Sequence, residues 1–360
     1  MHYIIFMKNT RFQITQDGSA GLYDNITDDI YHSVTGAYKE AYEKFIFASG
    51  FESFVKRNDF VSVLDICYGV GYNSKTAINT AIKINNNIIV NIDALEYNSY
   101  VASISPFLKD NISNPDLKFR LIEFLSLQIP DYFEKVREIC LNTPDFRSLY
   151  SDISICPVID FIINNHNIRC YDELFGLLHN IYYQNISNSM ETSLKSNNCQ
   201  VFNFNLHLGD ARHTIDSCNS LYDFVFLDAF TPSKQPLLWT YQFLSKVKSK
   251  MKPSSVLVTY SNSSPVRKTL IDLGFYISKI IIDGKQFGTI AKLSENSLGC
   301  PLDNYDSGLL ETKSGIPYYD NDTLSLSSDE ILNNRLVNMN NSKLMSSTQY
   351  IKRVKNESKI

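Results

Sequence analysis

At 360 residues, with 44% hydrophobic and 12% aromatic residues, the chain carries enough apolar side chain for a sizeable globular core. A formal net charge of −4 argues against indiscriminate nucleic-acid binding but leaves room for a local basic face. Seven cysteines at 67, 140, 156, 170, 199, 218 and 300 show no C-x-x-C pair and no metal-like spacing to a histidine, so they read as reduced thiols and no metal is expected.

Met1 to Lys8 forms a short apolar run without the pattern of a leader, and no uninterrupted apolar stretch reaches the roughly 18 residues of a membrane span. A soluble protein of the cytoplasm, or of the stroma or matrix of an organelle, is expected. Gln16–Asp17–Gly18–Ser19 has turn chemistry. Ala37, Ala41, Phe45 and Ala48 repeat at helical spacing and predict a helix from about Gly36 to Ser49. Tyr31, His32 and Ser33 before it read either as a loop with a helix cap or as a loop folding over a ligand mouth.

Phe60 to Cys67 is an apolar run that breaks at Gly69 and Gly71 before helical spacing begins at Asn73: a strand, a tight turn and a helix start. Glycine there lets backbone N–H groups approach a ligand, beside the partial positive charge of a helix N-terminus. Ile88 to Leu95 is a second strand, closed by Glu96 at roughly the spacing at which nucleoside-binding folds present a carboxylate to ribose hydroxyls. Residues 109–200 mix helical patches, Leu121–Leu127, Tyr132–Leu141 and Tyr171–Tyr183, with Asn- and Ser-rich spacers and read as a helical insertion.

Strand and helix alternate again from Val201. Val201–Leu208, Tyr222–Leu227, Ser255–Tyr260, Tyr276–Ile282 and Thr289–Leu293 read as strands, with helices at Leu237–Met251 and Pro265–Leu273. Only Asp283–Gly288 separates the last two strands, which predicts a hairpin and one antiparallel strand at the edge. After Asn296 a polar tail is expected, extended and partly ordered, with one short helix near Asp329–Val337. The domain reading is a cap region at 1–58, a core at 59–108 and 201–296, the insertion at 109–200 and a polar extension at 297–360. The fold class is α/β, a Rossmann-like, mostly parallel sheet.

Four strand ends in succession carry an acid or a glycine turn, and in an open parallel sheet such ends lie along the edge where ligands bind. Ser74 stands where a dinucleotide fingerprint wants a third small residue, which favours a cofactor without a pyrophosphate. Asp65 suits a cofactor with an ammonium group. Asp210 and the backbone of Ala211 suit an adenine edge, with a helix N-cap as a compatible alternative for Asp210. Asp228, ending Phe224–Leu227 beside Pro232 and Pro236, is placed to accept a proton from a substrate amine, or else is a structural cap. Trp239 with Phe230 offers either a stacking surface for a base or a packing contact, and Lys246, Lys248, Lys250 and Lys252 either a solvated face or a phosphate patch.

The assembled residues resemble a class I S-adenosylmethionine-dependent methyltransferase, and more closely the methyltransferase part of the MnmC family. The resemblance rests on Asp17–Gly18–Ser19, Tyr31–His32–Ser33 with Gly36–Ala37 and Glu40, Asp65 to Gly71, Gly209–Asp210–Ala211, Phe226 to Pro236 with Trp239, and Gly315–Ile316–Pro317–Tyr318 with the Arg335 helix. It covers about 9–100 and 201–340. It departs at Cys67–Tyr68, where the family usually has Gly–Phe, and at Tyr72.

The resemblance implies S-adenosylmethionine as cofactor, tRNA as partner, and N-methylation of the aminomethyl group of a modified wobble uridine. It implies Asp228 as the catalytic residue, with Asp65, Gly69, Gly71, Glu96, Asp210 and Ala211 on the cofactor. Tyr31, Ser33, Glu40, Phe230, Lys234 and Trp239 are the substrate-side candidates. Alternatives are an aminopropyltransferase like spermidine synthase, whose Gly–Gly–Gly–Asp–Gly turn is absent here, and a cofactor- and RNA-binding module without turnover.

Overall fold

The structure is a computed structural model and describes residues 10–24, 29–30, 36–108, 115–142, 202–295 and 298–357. Internal contacts divide the chain into two compact units. One is drawn from Met1–Tyr42, Phe54–Val61 and Tyr68–Leu208, the other from Glu43–Ser53, Ser62–Cys67 and Gly209–Ile360.

The first unit opens with an antiparallel sheet of β1 (Thr10–Ile14), β2 (Ala20–Asp24) and β3 (Asp29–Ile30). Asp17–Gly18 turns the chain between β1 and β2, with Gly18 at φ 80° and its N–H on the Thr15 carbonyl at 3.0 Å. α1 (Ala37–Glu40) runs on as a π-helical stretch, Ala41–Phe47. The regular helix expected over 36–49 is therefore widened. The N–H of Ala48 reaches back five residues to Glu43 at 3.3 Å, and Ala37, Ala41, Phe45 and Ile46 are buried while Phe47 is 66% exposed. α2 (Phe51–Val55) follows, and β4 (Phe60–Ile66) crosses from the first unit's residues into the second's.

α3 (Tyr72–Ile84) is buried at every residue from Tyr72 to Ile82. β5 (Ile89–Glu96) is followed by α4 (Ser99–Ile104), which Asn98 caps by accepting from the N–H groups of Tyr100 and Val101. α5 (Pro115–Gln128) and α6 (Tyr132–Asn142) fall on two of the three helical patches foreseen in the insertion; Tyr171–Tyr183 lies outside the described residues. β6 (Phe202–Leu208) pairs with β5 in parallel, and the Gln128 side chain joins α5 to β6 through the backbone of Phe204 and Leu206.

The second unit is built on β7 (Tyr222–Leu227), β8 (Met251–Thr259), β9 (Tyr276–Ile282), β10 (Lys285–Lys292) and β11 (Cys300–Pro301), with α7 (Ala211–Thr214), α8 (Tyr241–Ser249) and α9 (Ser264–Asp272) between them. β4 pairs with β7 and β7 with β8 in parallel, and the six residues of β7 are all buried, as a strand covered on both faces requires. In this unit the strand order is β11-β9-β10-β8-β7-β4.

The antiparallel strand expected at the edge is covered there by β9 and then β11. β10 lies between β8 and β9, antiparallel to both. Asp283 (φ 49°) and Gly284 (φ 74°) form the tight turn, with the positive φ values that two-residue hairpins demand.

The polar tail is folded, against the expectation of an extended segment. α10 (Asn304–Leu310), α11 (Ser328–Asn341) and α12 (Ser347–Glu357) occupy it. Asp303 caps α10, and Ser327 and Glu330 form a reciprocal capping box on α11. Leu310, Tyr318, Leu324 and Ile331 are buried, and anchors of this kind contribute about 1.5–3 kcal/mol each. Arg335 ties the segment together: it donates to the carbonyls of Ile316 (2.7 Å) and Ser314 (2.9 Å), with its guanidinium 4.8 Å from the Tyr318 ring centre.

Candidate active site

The chain leaves β4 through a turn with three left-handed residues, Cys67 (φ 69°), Gly69 (φ 55°) and Gly71 (φ 77°), of which the two glycines belong to the first unit. Cys67 holds a conformation costing a residue with a Cβ about 1–2 kcal/mol. The turn is anchored by the N–H of Tyr68 on the Leu95 carbonyl (3.0 Å) and of Gly71 on the Tyr68 carbonyl (2.7 Å). Its Gly69 N–H meets the Glu96 carboxylate, at 2.7 Å from Oε2, and the Asn98 N–H reaches Oε1 at 2.8 Å. Gly69 and Glu96, 27 residues apart, are thereby brought into direct contact.

Burial pushes the Glu96 carboxyl upward, and the N–H groups of Asn98, Gly69 and Tyr97 offset only part of that. The Tyr68 ring packs on Gly71 and on Phe204, whose centroid is 5.2 Å away. Its hydroxyl pairs with Ser105 Oγ (2.7 Å), which itself donates to the Val70 carbonyl (2.7 Å). The Tyr68 hydroxyl thus ties the turn to the residues after α4.

Also in this unit, the β1–β2 turn caps α1. Ser19 Oγ accepts from the Ala37 N–H (3.0 Å) and Asp17 Oδ2 from the Lys39 N–H (2.9 Å). Burial raises the Asp17 carboxyl, but hydrogen bonds from Ser19, Lys39 and Thr15 outweigh it and hold the group below its ordinary range. Asp17, Ser19, Gly36 and Ala37, separate in sequence, therefore form one structure, with Glu40 half-buried on α1. Tyr31 and Ser33 lie outside the described residues. His207 pairs with Asp93 at 2.7 Å on the neighbouring strand.

In the second unit Asp65 is fully buried on β4, in register with Phe226 of β7. One residue beyond β7, the Asp228 N–H donates to the Ile66 carbonyl at 3.2 Å, so Asp228 follows its strand at the end where β4 closes one residue after Asp65. Asp228 is partly exposed. The loop after it is pinned through its carbonyls: Ala229 accepts from the Tyr260 hydroxyl (2.8 Å), Phe230 from Trp239 Nε1 (2.8 Å) and Thr231 from the N–H groups of Lys234 and Gln235 (2.9 Å each). Pro232 and Pro236 are buried, Phe230 is half-buried and Lys234 is exposed.

Trp239 has no exposed surface and meets Tyr260 edge-on at 6.1 Å. It is a packing residue, which corrects its candidacy as a stacking platform. The four lysines are likewise structural: Lys246 meets Asp216 and the Arg212 carbonyl, Lys248 the Leu273 carbonyl, Lys250 the Cys218 carbonyl and Lys252 Asp223.

Asp210 caps α7 through the Arg212 N–H (2.9 Å), and Ala211 is buried. Arg212 also folds back on the Asp210 carboxylate, with Nη2 2.7 Å from Oδ2. Burial raises the Asp210 carboxyl, but Arg212 more than compensates and holds it below its usual range. Arg212, and Asp320 to which it is bonded, escaped the sequence reading. Neither sits in a motif, and Asp320 is one acid in an acidic, polar tail.

Residues 171–292 match the family model described as S-adenosyl-L-methionine-dependent methyltransferase. That match spans about a third of the chain, and it supports a methyltransferase that uses S-adenosylmethionine as its cofactor. It is similar to an uncharacterized protein of Methanocaldococcus jannaschii, 29% identical over 325 residues that make up 89% of this chain and 70% of that protein. Over 83 residues, 23% of the chain, it is 32% identical to the tRNA 5-methylaminomethyl-2-thiouridine biosynthesis bifunctional protein MnmC of Pseudomonas entomophila, and this stretch is 13% of that protein's length. The crystal structure of MnmC2 from Aquifex aeolicus shares the fold at a TM-score of 0.62 and 24% identity, over 92% of this chain and 86% of that one. The resemblance to the MnmC methyltransferases thus stands, and so does the Rossmann-like fold.

Proposed function

We propose that this methyltransferase acts on tRNA, methylating the exocyclic amine of an aminomethyl-type group on a modified wobble uridine. The reading is supported above all by the loop from Asp228 to Pro236, which leaves a buried strand with its backbone fixed by Trp239 and Tyr260 and its acid partly open to solvent. The name of the Pseudomonas relative, a tRNA 5-methylaminomethyl-2-thiouridine biosynthesis protein, supports the substrate class.

The residues fit the cofactor. Glu96 is a buried carboxylate that accepts from the N–H groups of Gly69 and Asn98, one on each oxygen, beside that of Tyr97, and its remaining acceptor capacity is assigned to the ribose hydroxyls. When bound, the cofactor supplies an electrophilic methyl group on a sulfonium. Asp65, Gly69, Gly71, Glu96, Asp210 and Ala211 are assigned to holding it, with Gly69 aiming Glu96 and Asp210 taking the adenine amino group. Asp228 is assigned to the substrate: its carboxylate orients the amine and accepts the proton the nitrogen must lose to present a lone pair. Phe230, Lys234 and Glu40 remain as substrate-side candidates, and Tyr31 and Ser33 with them; Trp239 does not.

Mass spectrometry of wobble nucleosides from a strain lacking the protein tests this reading. Accumulation of the unmethylated amine, reversed by the intact gene but not by one encoding Asp228→Ala, is expected. Normal levels of the methylated nucleoside would refute the substrate assignment.

A further inference from the structure

Arg212 is 7% exposed and spends its whole guanidinium inside the second unit. Nε lies 3.2 and 3.0 Å from the two Asp210 oxygens and Nη2 2.7 Å from Oδ2, a bidentate grip on one carboxylate. Nη1 points the other way, donating to Asp320 Oδ2 and to the Leu326 carbonyl, both at 2.9 Å. The Asp320 side chain is fully buried. Its second oxygen accepts from the N–H groups of Asn321 (2.8 Å) and Leu326 (3.0 Å), and its own N–H is held by Gln242 at 2.9 Å.

A buried carboxylate with every donor supplied is costly to assemble unless it fixes something. Here it fixes one end of an arginine whose other end grips Asp210. The Asp210 side chain keeps 29% of its surface, so the grip aims the carboxylate without covering it.

We propose that Arg212 and Asp320 are positioning residues for adenine recognition: the C-terminal extension, through Asp320 and the Leu326 carbonyl, sets the direction in which Asp210 presents the exposed edge of its carboxylate, beyond the three N–H groups of Arg212 that it already accepts from. The inference rests on the reading of Asp210 as acceptor for the adenine amino group. Arg212 alone, on the short α7, has a long flexible stem. Pinned at its far end by a buried acid, its fork has a single orientation, and so does the carboxylate it holds. The extension is then part of how the enzyme tells adenosine from a nucleoside lacking that amino group.

The test uses the full chain and two ligands, S-adenosylhomocysteine and its S-inosyl counterpart, in which a carbonyl replaces the amino group. Affinities are measured by calorimetry for the wild type, Asp210→Ala, Asp320→Asn and Arg212→Lys, each first checked for a cooperative thermal transition. Loss of a hydrogen bond to a charged acceptor predicts that the wild type prefers the adenosyl ligand by about tenfold or more. Asp210→Ala should abolish that preference.

Asp320→Asn and Arg212→Lys should shrink it severalfold while leaving affinity for the inosyl ligand as in the wild type, a selectivity change that general loosening would not produce. Arg212→Lys keeps the charge but loses the fork, so it decides the matter should Asp320→Asn fail to fold. If both variants keep the wild-type preference and only Asp210→Ala loses it, the positioning role is overturned and Asp210 stands as the adenine reader. If Asp210→Ala keeps the preference, the reading of Asp210 fails and the inference with it.

Discussion

The turn between β4 and α3 makes a sharp demand on Gly71, and Gly71→Ala measures it. Two separate costs follow from the geometry. At φ 77° an L-residue is disfavoured by about 1–2 kcal/mol whatever surrounds it. In addition, the new methyl would come within 2.6 Å of Ser105 Oγ and closer still to Cζ and Oη of Tyr68, a ring 2% exposed with nowhere to go. Overpacking of that kind adds about 1–3 kcal/mol, for a total of about 2–5 kcal/mol.

Urea unfolding of Gly71→Ala against the wild type gives the sum. A double-mutant cycle with Tyr68→Gly separates the parts: without the ring, Gly71→Ala should cost the backbone share and whatever contact with Ser105 Oγ persists, leaving a coupling of up to about 3 kcal/mol between the sites. The functional readout runs in parallel, because displacing Tyr68 also disturbs its bond to Ser105 and the Val70 carbonyl beyond. Cofactor affinity should fall in Gly71→Ala by more than the stability loss explains. A stability change under about 0.5 kcal/mol, or additive costs in the cycle, would refute the view that Tyr68 wedges the turn.

Asp228→Ala should lower kcat at least about a hundredfold while leaving cofactor affinity within a factor of about two, measured by methyl transfer and calorimetry on one preparation; equal losses in both would remove Asp228 from the chemistry. Glu96 should leave a mark on the pH dependence of stability. Its folded carboxyl is raised, so between its ordinary range and that higher value the native state holds a proton the unfolded chain has lost, and stability falls as pH rises through the window. Urea unfolding of Glu96→Gln across the same range should lack that fall, and parallel curves for the two proteins would count against the assignment. Cys67→Gly should stabilise the fold by up to about 1 kcal/mol, the left-handed penalty less the entropy glycine returns to the unfolded chain, whereas Cys67→Val should cost more than about 1 kcal/mol; a valine variant as stable as the wild type would contradict the observed φ.

The parts of the fold legible in the sequence are those where one physical requirement dominates a short window. Phe60 to Glu96 is such a case: apolar runs long enough for buried strands, glycines where φ must be positive, and an acid at a strand end. Gly69 and Glu96 do meet, at 2.7 Å. What was illegible depended on partners distant in sequence. The spacing of Lys246 to Lys252 could not reveal that each ammonium has a carbonyl or carboxylate waiting, because Asp216, Cys218, Leu273 and Asp223 belong to other elements. Trp239 read equally as platform or core, and only its burial and the carbonyl of Phe230 decide between them.

The tail shows the same limit in another form. Its composition matches that of a disordered segment, yet it folds, because stability there comes from a few long-range contacts rather than from average hydrophobicity. Arg335 supplies three of these within the tail and Arg212 supplies two more from outside it. A composition average gives such residues no special weight. That is why the extension reads as an appendage in the sequence, although in the structure Asp320 lies one arginine away from Asp210.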